Sequence, residues 1–248
     1  MNDGRSTLAA LASTSKTPKF KVVNMRWIVV LSCVMLAPAP LQSPAGGRVT
    51  GRITILEKRN KPSPDLGSAV IYLEGTGPAA APAAFDITIN DKVYRPRVVV
   101  VPVGSTVRFP NTDPFDHNVF SVSEPNQFDL GLYGRGEAKS HTFTRPGLVR
   151  VYCNVHPKMV AYVVVSANRY YAQPGADGSF TMDNVAPGRY RLHTWHERIS
   201  AEIVKDVLVA NSGLADLRVA LDARGYKWRA HKNKDGQEYQ TNAGYERY

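Results

Sequence analysis

The chain has 248 residues, 43% hydrophobic and 21% charged, which is the composition of an ordinary globular protein of one or two domains and excludes disorder throughout. Its formal net charge is +10, but residues 1–45 hold +4 of this and residues 223–248 hold +3, leaving +3 on the 177 residues between. The globular body is therefore close to neutral, and the basic balance is no argument for nucleic acid as a partner.

The first predicted element is a signal peptide over residues 1–45. Lys19, Lys21 and Arg26 precede the apolar run Trp27 to Ala37, and Ser43-Pro44-Ala45 offers a cleavage point. The run is too short to span a bilayer, so membrane contact is expected only through an uncleaved signal. Met25 is an alternative start, opening directly into the apolar run. A lipoprotein reading of Val30-Leu31-Ser32-Cys33 is a poor match, because the run continues past the cysteine. The expected location is the periplasm or the exterior. Removal of the signal takes Cys33 with it and leaves Cys153 as the one cysteine. In an oxidising compartment such a residue is an inert buried thiol, an intermolecular link, or a thiolate claimed by something else.

Beyond the signal the pattern is one of strands, rich in Val, Tyr, Phe and Thr and punctuated by Gly and Pro. Arg48 to Leu56 alternates as a strand, and a second follows at Ala69 to Leu73. Gly75 to Ala84 is a Gly/Pro/Ala linker. From Phe85 to Ser166 strand signals run on: Arg97 to Val101, Thr106 to Phe109, Asn118 to Val122, His141 to Phe143, Leu148 to Tyr152 and Ala161 to Val165. A third block opens at Tyr170, with hairpin signals at Asp177-Gly178 and Pro187-Gly188 and strands at Val204 to Val209 and Ala215 to Leu221. Residues 223–248 have no apolar period and are rich in Lys, Arg, Asn, Gln and Gly, the composition of a largely disordered basic tail.

Cys153-Asn154-Val155-His156-Pro157-Lys158-Met159 places a thiolate, an imidazole and a thioether at three-residue spacings on one loop between two strands. Soft thiolate and thioether donors with imidazole favour copper, and two His, one Cys and a weak axial Met compose a blue-copper electron-transfer site. Zinc is the chemical alternative for Cys and two His, but Met is an unusual ligand for it. The second imidazole must come from elsewhere, and His117, at the start of Asn118-Val119-Phe120-Ser121 after a polar turn, is the candidate.

Val98 to Asn111, running into Asp116-His117-Asn118-Val119, is similar to the cupredoxin segment that delivers an upstream histidine. Together with the Cys-x-x-His-x-x-Met loop, residues 85–166 resemble a cupredoxin of the plastocyanin, amicyanin and pseudoazurin kind. The loop has the amicyanin and pseudoazurin spacing; the longer plastocyanin spacing would require Ala161 to ligate, which it cannot. The resemblance implies His117, Cys153, His156 and Met159 as copper ligands and Asn118 as a brace between the two ligand loops. It also implies an exposed His156 edge where a partner docks, bordered by Pro114, Phe115 and Pro157. Residues 46–75 and 170–222 resemble the two halves of a carboxypeptidase-regulatory-like (transthyretin-like) sandwich. Gly51-Arg52-Ile53 and Val70-Ile71-Tyr72-Leu73 match its opening strands, and Asp177-Gly178-Ser179-Phe180 and Pro187-Gly188-Arg189-Tyr190 match its Asp-Gly-x-Phe and Pro-Gly-x-Tyr signature.

The expected architecture is all-β: a Greek-key cupredoxin sandwich inserted in a discontinuous regulatory-like one, the alternative being two consecutive domains with a separate N-terminal hairpin. His193-Thr194-Trp195-His196-Glu197 reads as surface strand, because residues three apart on a strand face opposite ways and cannot share a metal. His141 reads as an ordinary strand residue. Tyr226-Lys227-Trp228-Arg229 mixes aromatic and basic residues as single-strand binders do, but has no platform fold around it. No phosphate loop, nucleophilic serine motif or paired acids appear, so the expectation is a carrier and not an enzyme, exchanging single electrons with a cytochrome or oxidoreductase in a transient complex. The alternatives are a carbohydrate- or protein-binding sandwich with an accessory copper domain, and copper storage or delivery.

Overall fold

In a computed structural model the described residues are 46–239 apart from Pro62, so the expected signal peptide and residues 240–248 lie outside them. Regular structure is strand, with two short 3-10 turns at Lys58–Asn60 and Leu66–Ser68. Among the described residues no helix is long and apolar enough to cross a membrane.

Two strands come first, β1 (Gly47–Leu56) and β2 (Val70–Glu74). Ten follow: β3 (Ala84–Asp86), β4 (Thr88–Asn90), β5 (Val93–Arg95), β6 (Val98–Pro102), β7 (Thr106–Pro110), β8 (His117–Ser121), β9 (Phe128–Tyr133), β10 (Ala138–Thr142), β11 (Gly147–Cys153) and β12 (Val160–Ser166). The last five are β13 (Tyr171–Ala172), β14 (Ser179–Val185), β15 (Gly188–Trp195), β16 (Ile203–Val209) and β17 (Leu214–Asp222).

The first two strands do not pair with each other. β1 lies between β14 and β17, while β2 lies between β13 and β15, with β16 outermost. A free-standing hairpin is thereby ruled out: Val49, Ile53, Ile71 and Leu73 bury their side chains in one core with Tyr170, Phe180, Leu192 and Leu221. The Asp177-Gly178 turn is fixed to β1, since Ile53 donates its N–H to the Gly178 carbonyl at 2.9 Å. Gly178 sits at φ +82, and a Cβ there would lie 2.3 Å from the Ile53 carbonyl oxygen, so only glycine fits.

The ten strands β3 to β12 form a three-stranded sheet, β10-β7-β3, a five-stranded sheet, β6-β12-β11-β8-β9, and the short β4-β5 hairpin. Their core includes Phe109, Val119, Phe143, Val151 and Val163. The unbroken Val98 to Val101 run follows from burial on both faces. Val101 faces this core, while Val98 and Val100 meet Val164 and, from β2 and β15, Val70 and Trp195 in a smaller cluster.

One ion pair locks the two parts together. Arg97 grips Glu197 with two bonds of 2.6 and 2.7 Å and donates a third to the Val160 carbonyl at 3.2 Å. The Glu197 side chain is 8% exposed and that of Arg97 34%. Removing one partner leaves a mostly desolvated charge, so Glu197→Ala is expected to lower unfolding stability by about 2–3 kcal/mol, less than for a fully buried pair because Arg97 retains solvent. Denaturant unfolding reads this directly.

The C-terminal segment departs from the sequence expectation. Residues 223–239 do not extend into solvent as a disordered tail; they fold back across the outer face of β8 and β11. The His231 ring stacks on Tyr152, with centroids 4.3 Å apart, and meets Phe120 at 6.2 Å. All five residues of β8 are buried, and His231 covers Phe120 among them. The anchors are isolated side chains without periodicity, so the composition of the segment hides them.

Candidate metal centre

β11 ends at Cys153 and β12 begins at Val160, so the ligand loop is the connection between paired strands. β11 also pairs with β8, Cys153 opposite Val119, which places His117 beside the thiol. A tight turn, in which Met159 donates its N–H to the His156 carbonyl at 3.1 Å, returns the loop to the core. The Cys153 sulfur lies 3.6 Å from His117 Nδ1 and 3.6 Å from His156 Nδ1. Exposures are 0% for His117 and Cys153, 7% for His156 and 1% for Met159. His117, Cys153 and His156 form a group whose donor atoms all lie within 4.8 Å of one another.

The protonation states suit a metal. His117 Nε2 donates to Asp113 Oδ2 at 2.9 Å, which leaves Nδ1 with its lone pair toward Cys153. Burial pushes the His117 pKa down against the pull of Asp113, keeping the ring neutral. Burial acts the other way on Asp113, but bonds from the Lys92 and Asp91 N–H groups and from His117 outweigh it and hold the carboxyl below its usual range. Those two N–H groups belong to the β4–β5 turn, whose residues Asp91 and Lys92 have φ of 54 and 55. One carboxylate thus ties a turn to a ligand. At Cys153 burial raises the thiol pKa against N–H bonds from Asn118, Val155 and His156. The metal-free thiol therefore keeps its proton at neutral pH, and a metal must displace it.

The donor set fits a single soft ion. Metal bonds of about 2.0–2.3 Å to nitrogen and sulfur put donors around one ion roughly 3.5 Å apart, close to the spacing found. A thiolate and two imidazoles with a buried thioether next to them match copper better than zinc.

Comparison with known families agrees. Residues 81–166 match the family of copper binding proteins described as plastocyanin/azurin. This segment is a cupredoxin domain. A purple cupredoxin from Nitrosopumilus maritimus is 29% identical over 34% of this chain and 99% of its own, with a TM-score of 0.30. Two reduced amicyanin variants are 31% and 30% identical, over 34% and 40% of this chain and 82% and 99% of theirs, with TM-scores of 0.32 and 0.33. Residues 157–216 match a second model, described as polysaccharide lyase family 4, domain II. No curated protein matches the chain.

The cupredoxin domain brings His117, Cys153 and His156 together, and Met159 is buried in the same core as Cys153. It differs in detail elsewhere. Asn118 braces the ligand loops through its main chain: its carbonyl accepts the Asn154 N–H at 3.1 Å and its N–H bonds the Cys153 sulfur. Its side chain instead reaches Asp129 on β9 at 2.6 Å. His156 is more enclosed than an exposed edge, with only 7% of it reaching solvent. Phe115, whose ring lies 5.6 Å from that of His156, and Pro157 are half-buried, and Pro114 is exposed. His193 and His196 are buried, not on the surface, and lie in separate environments. His193 Nε2 bonds Glu74 at 2.8 Å, and His196 faces Asp65 at 3.5 Å. Each lies under a loop or strand that closes over it only in three dimensions. His141 is a strand residue stacked on Phe128 at 4.2 Å.

Sequence reasoning did not find Asp113, Asp129 or the contacts of residues 231–239. Asp113 sits four residues before a predicted ligand, and that spacing was the one available signal.

Proposed function

We propose that the protein is an exported type 1 copper protein that passes single electrons between redox partners. The observation that carries this reading is the buried thiol of Cys153, 3.6 Å from the Nδ1 atoms of His117 on β8 and of His156 on the β11–β12 loop of a cupredoxin domain. Copper in such a site alternates between Cu(II) and Cu(I) without binding a substrate. The chain's own residues hold the donors still. His117 is pinned by Asp113, Cys153 receives three main-chain N–H bonds, and His156 and Met159 share one turn. A rigid donor set keeps reorganisation small, which suits fast electron exchange and asks for no catalytic group.

The narrow exposed part of His156, with Pro114, Phe115 and Pro157 around it, is the proposed docking edge for a cytochrome or oxidoreductase in a weak, transient complex. The proposed location is the periplasm or the exterior. Copper-loaded protein is expected to absorb visible light intensely and to bleach reversibly with ascorbate. A colourless copper complex overturns the reading.

A second reading concerns the flanking strands, for which we propose a regulatory-like sandwich that binds a carbohydrate or protein. A cavity of about 610 Å³ at the junction with the cupredoxin domain is lined by Tyr72, Glu74, Arg150, Trp195 and Glu202, among others. The match to a polysaccharide lyase domain favours a sugar. Retention on a polysaccharide column, unchanged by Cys153→Ser, supports this reading.

A further inference from the structure

The C-terminal segment reaches back to the ligand loop and bonds it at Cys153, Asn154 and Pro157. His231 donates its N–H to the carbonyl of Pro157, which lies between His156 and Met159, at 3.3 Å. The Lys234 N–H goes to Asn154 Oδ1 at 2.9 Å, and its ammonium to Asp129 Oδ2 at 2.6 Å. Asp129 is the residue that receives the Asn118 side chain, beside His117. A turn then reverses the chain: Asn233 Oδ1 accepts the N–H groups of Asp235 and Gln237, and Gly236 takes φ +76. The reversal brings Tyr239 over Cys153, where its hydroxyl donates to the Cys153 carbonyl at 2.7 Å. On the other side, Tyr94 donates to the neighbouring Tyr152 carbonyl at 3.1 Å. The main chain at the thiol is thus held by a tyrosine hydroxyl from each side.

We propose that residues 224–239 are a strap belonging to the metal centre, in which Tyr239 and Lys234 are positioning residues that hold the Cys153 to Met159 loop closed and set the redox balance of the site. The contacts are concentrated where a folding role alone would not require them. The segment buries little apolar side chain of its own, yet its hydrogen bonds end on Cys153, Asn154, Pro157 and Asp129. The exposed Lys234–Asp129 pair contributes little to stability by itself. The Tyr239 bond acts at closer range. A donor on the Cys153 carbonyl offsets the negative end of that dipole next to the thiolate, so it favours the reduced, less positive site. The effect on redox balance rests on the copper reading above; the effect on loop closure does not.

The test uses full-length protein with Cys33→Ser, so that Cys153 is its single thiol. In the metal-free chain, Tyr239→Phe combined with Lys234→Ala is expected to raise the rate of Cys153 modification by a small thiol reagent roughly tenfold, because opening the loop no longer breaks those bonds. After copper loading, Tyr239→Phe alone is expected to lower the reduction potential and shift the thiolate absorption band while the protein stays coloured. Lys227→Ala, on an exposed strap residue outside these contacts, serves as the control and leaves both readouts unchanged. Thermal unfolding confirms that the variants are folded. Folded variants with unaltered thiol rate, band and potential overturn the proposal. A wild-type protein that forms no coloured copper complex sinks the copper reading instead, and the thiol rate still decides whether the strap closes the loop.

Discussion

Replacing Cys153 by serine removes the intense visible absorption of the copper-loaded protein and most of its affinity for copper. Sulfur is the soft donor of the set, and a serine hydroxyl neither ionises near neutral pH nor offers a polarisable lone pair. What is left is two imidazoles and a buried thioether, a set with no thiolate to give the colour. The fold is expected to survive, because the N–H groups of Asn118, Val155 and His156 that now point at the sulfur can bond a hydroxyl oxygen. The stability change should stay near 1 kcal/mol, the scale of one hydrogen bond. Absorption spectra and copper retention on dialysis read the first effect, and denaturant unfolding the second. A serine variant that keeps the band would mean that the colour arises elsewhere.

Asp113→Ala comes next in size, with an expected loss of 10- to 100-fold in copper affinity, the usual consequence of removing the outer partner of a ligating histidine. Two effects combine. Without the carboxylate, His117 is free to place its proton on Nδ1, the nitrogen that faces Cys153, and to rotate away from it. The N–H groups of Asp91 and Lys92 lose their acceptor as well, which loosens the turn beside Phe115. Asp113→Asn, which keeps one acceptor oxygen and the side-chain shape, should lose less. Competition against a chelator of known affinity measures both variants, and equal affinity of Asp113→Ala and wild type rules out the role given to this carboxylate.

These residues also mark where sequence reading stops. The loop from Cys153 to Met159 is legible because ligand type and spacing are local, and they carry their chemistry with them whatever surrounds the loop. The strand carrying His117 is legible from the strand signal at Asn118 to Val122 and from the resemblance of the segment that leads into it. Asp113 is not: on the page it is one acid in a polar turn, and its value depends on β4 and β5 folding over it from more than twenty residues away. Asp129 was missed for a similar reason: on the page it is the polar residue of an alternating Phe128-Asp129-Leu130 stretch, and its partners, Asn118 and Lys234, reach it only when β9 pairs with β8 and the C-terminal segment folds back. His193 and His196 were read as surface residues because strand alternation says which way a side chain points but not what covers it.

By itself the sequence determined that this is a β protein with a soft, copper-type donor set on one loop, because strand periodicity and ligand identity are short-range properties. The tertiary structure decided three things. It joined β1 and β2 to strands about a hundred residues later or more, since hydrogen-bond partners in a sheet are chosen by the shared core and not by proximity in sequence. It gave His117 its carboxylate partner. It also turned a segment with the composition of a disordered tail into a strap on Cys153, because a few well-placed side chains, Tyr239 and His231 foremost, can anchor a chain that has no apolar period at all.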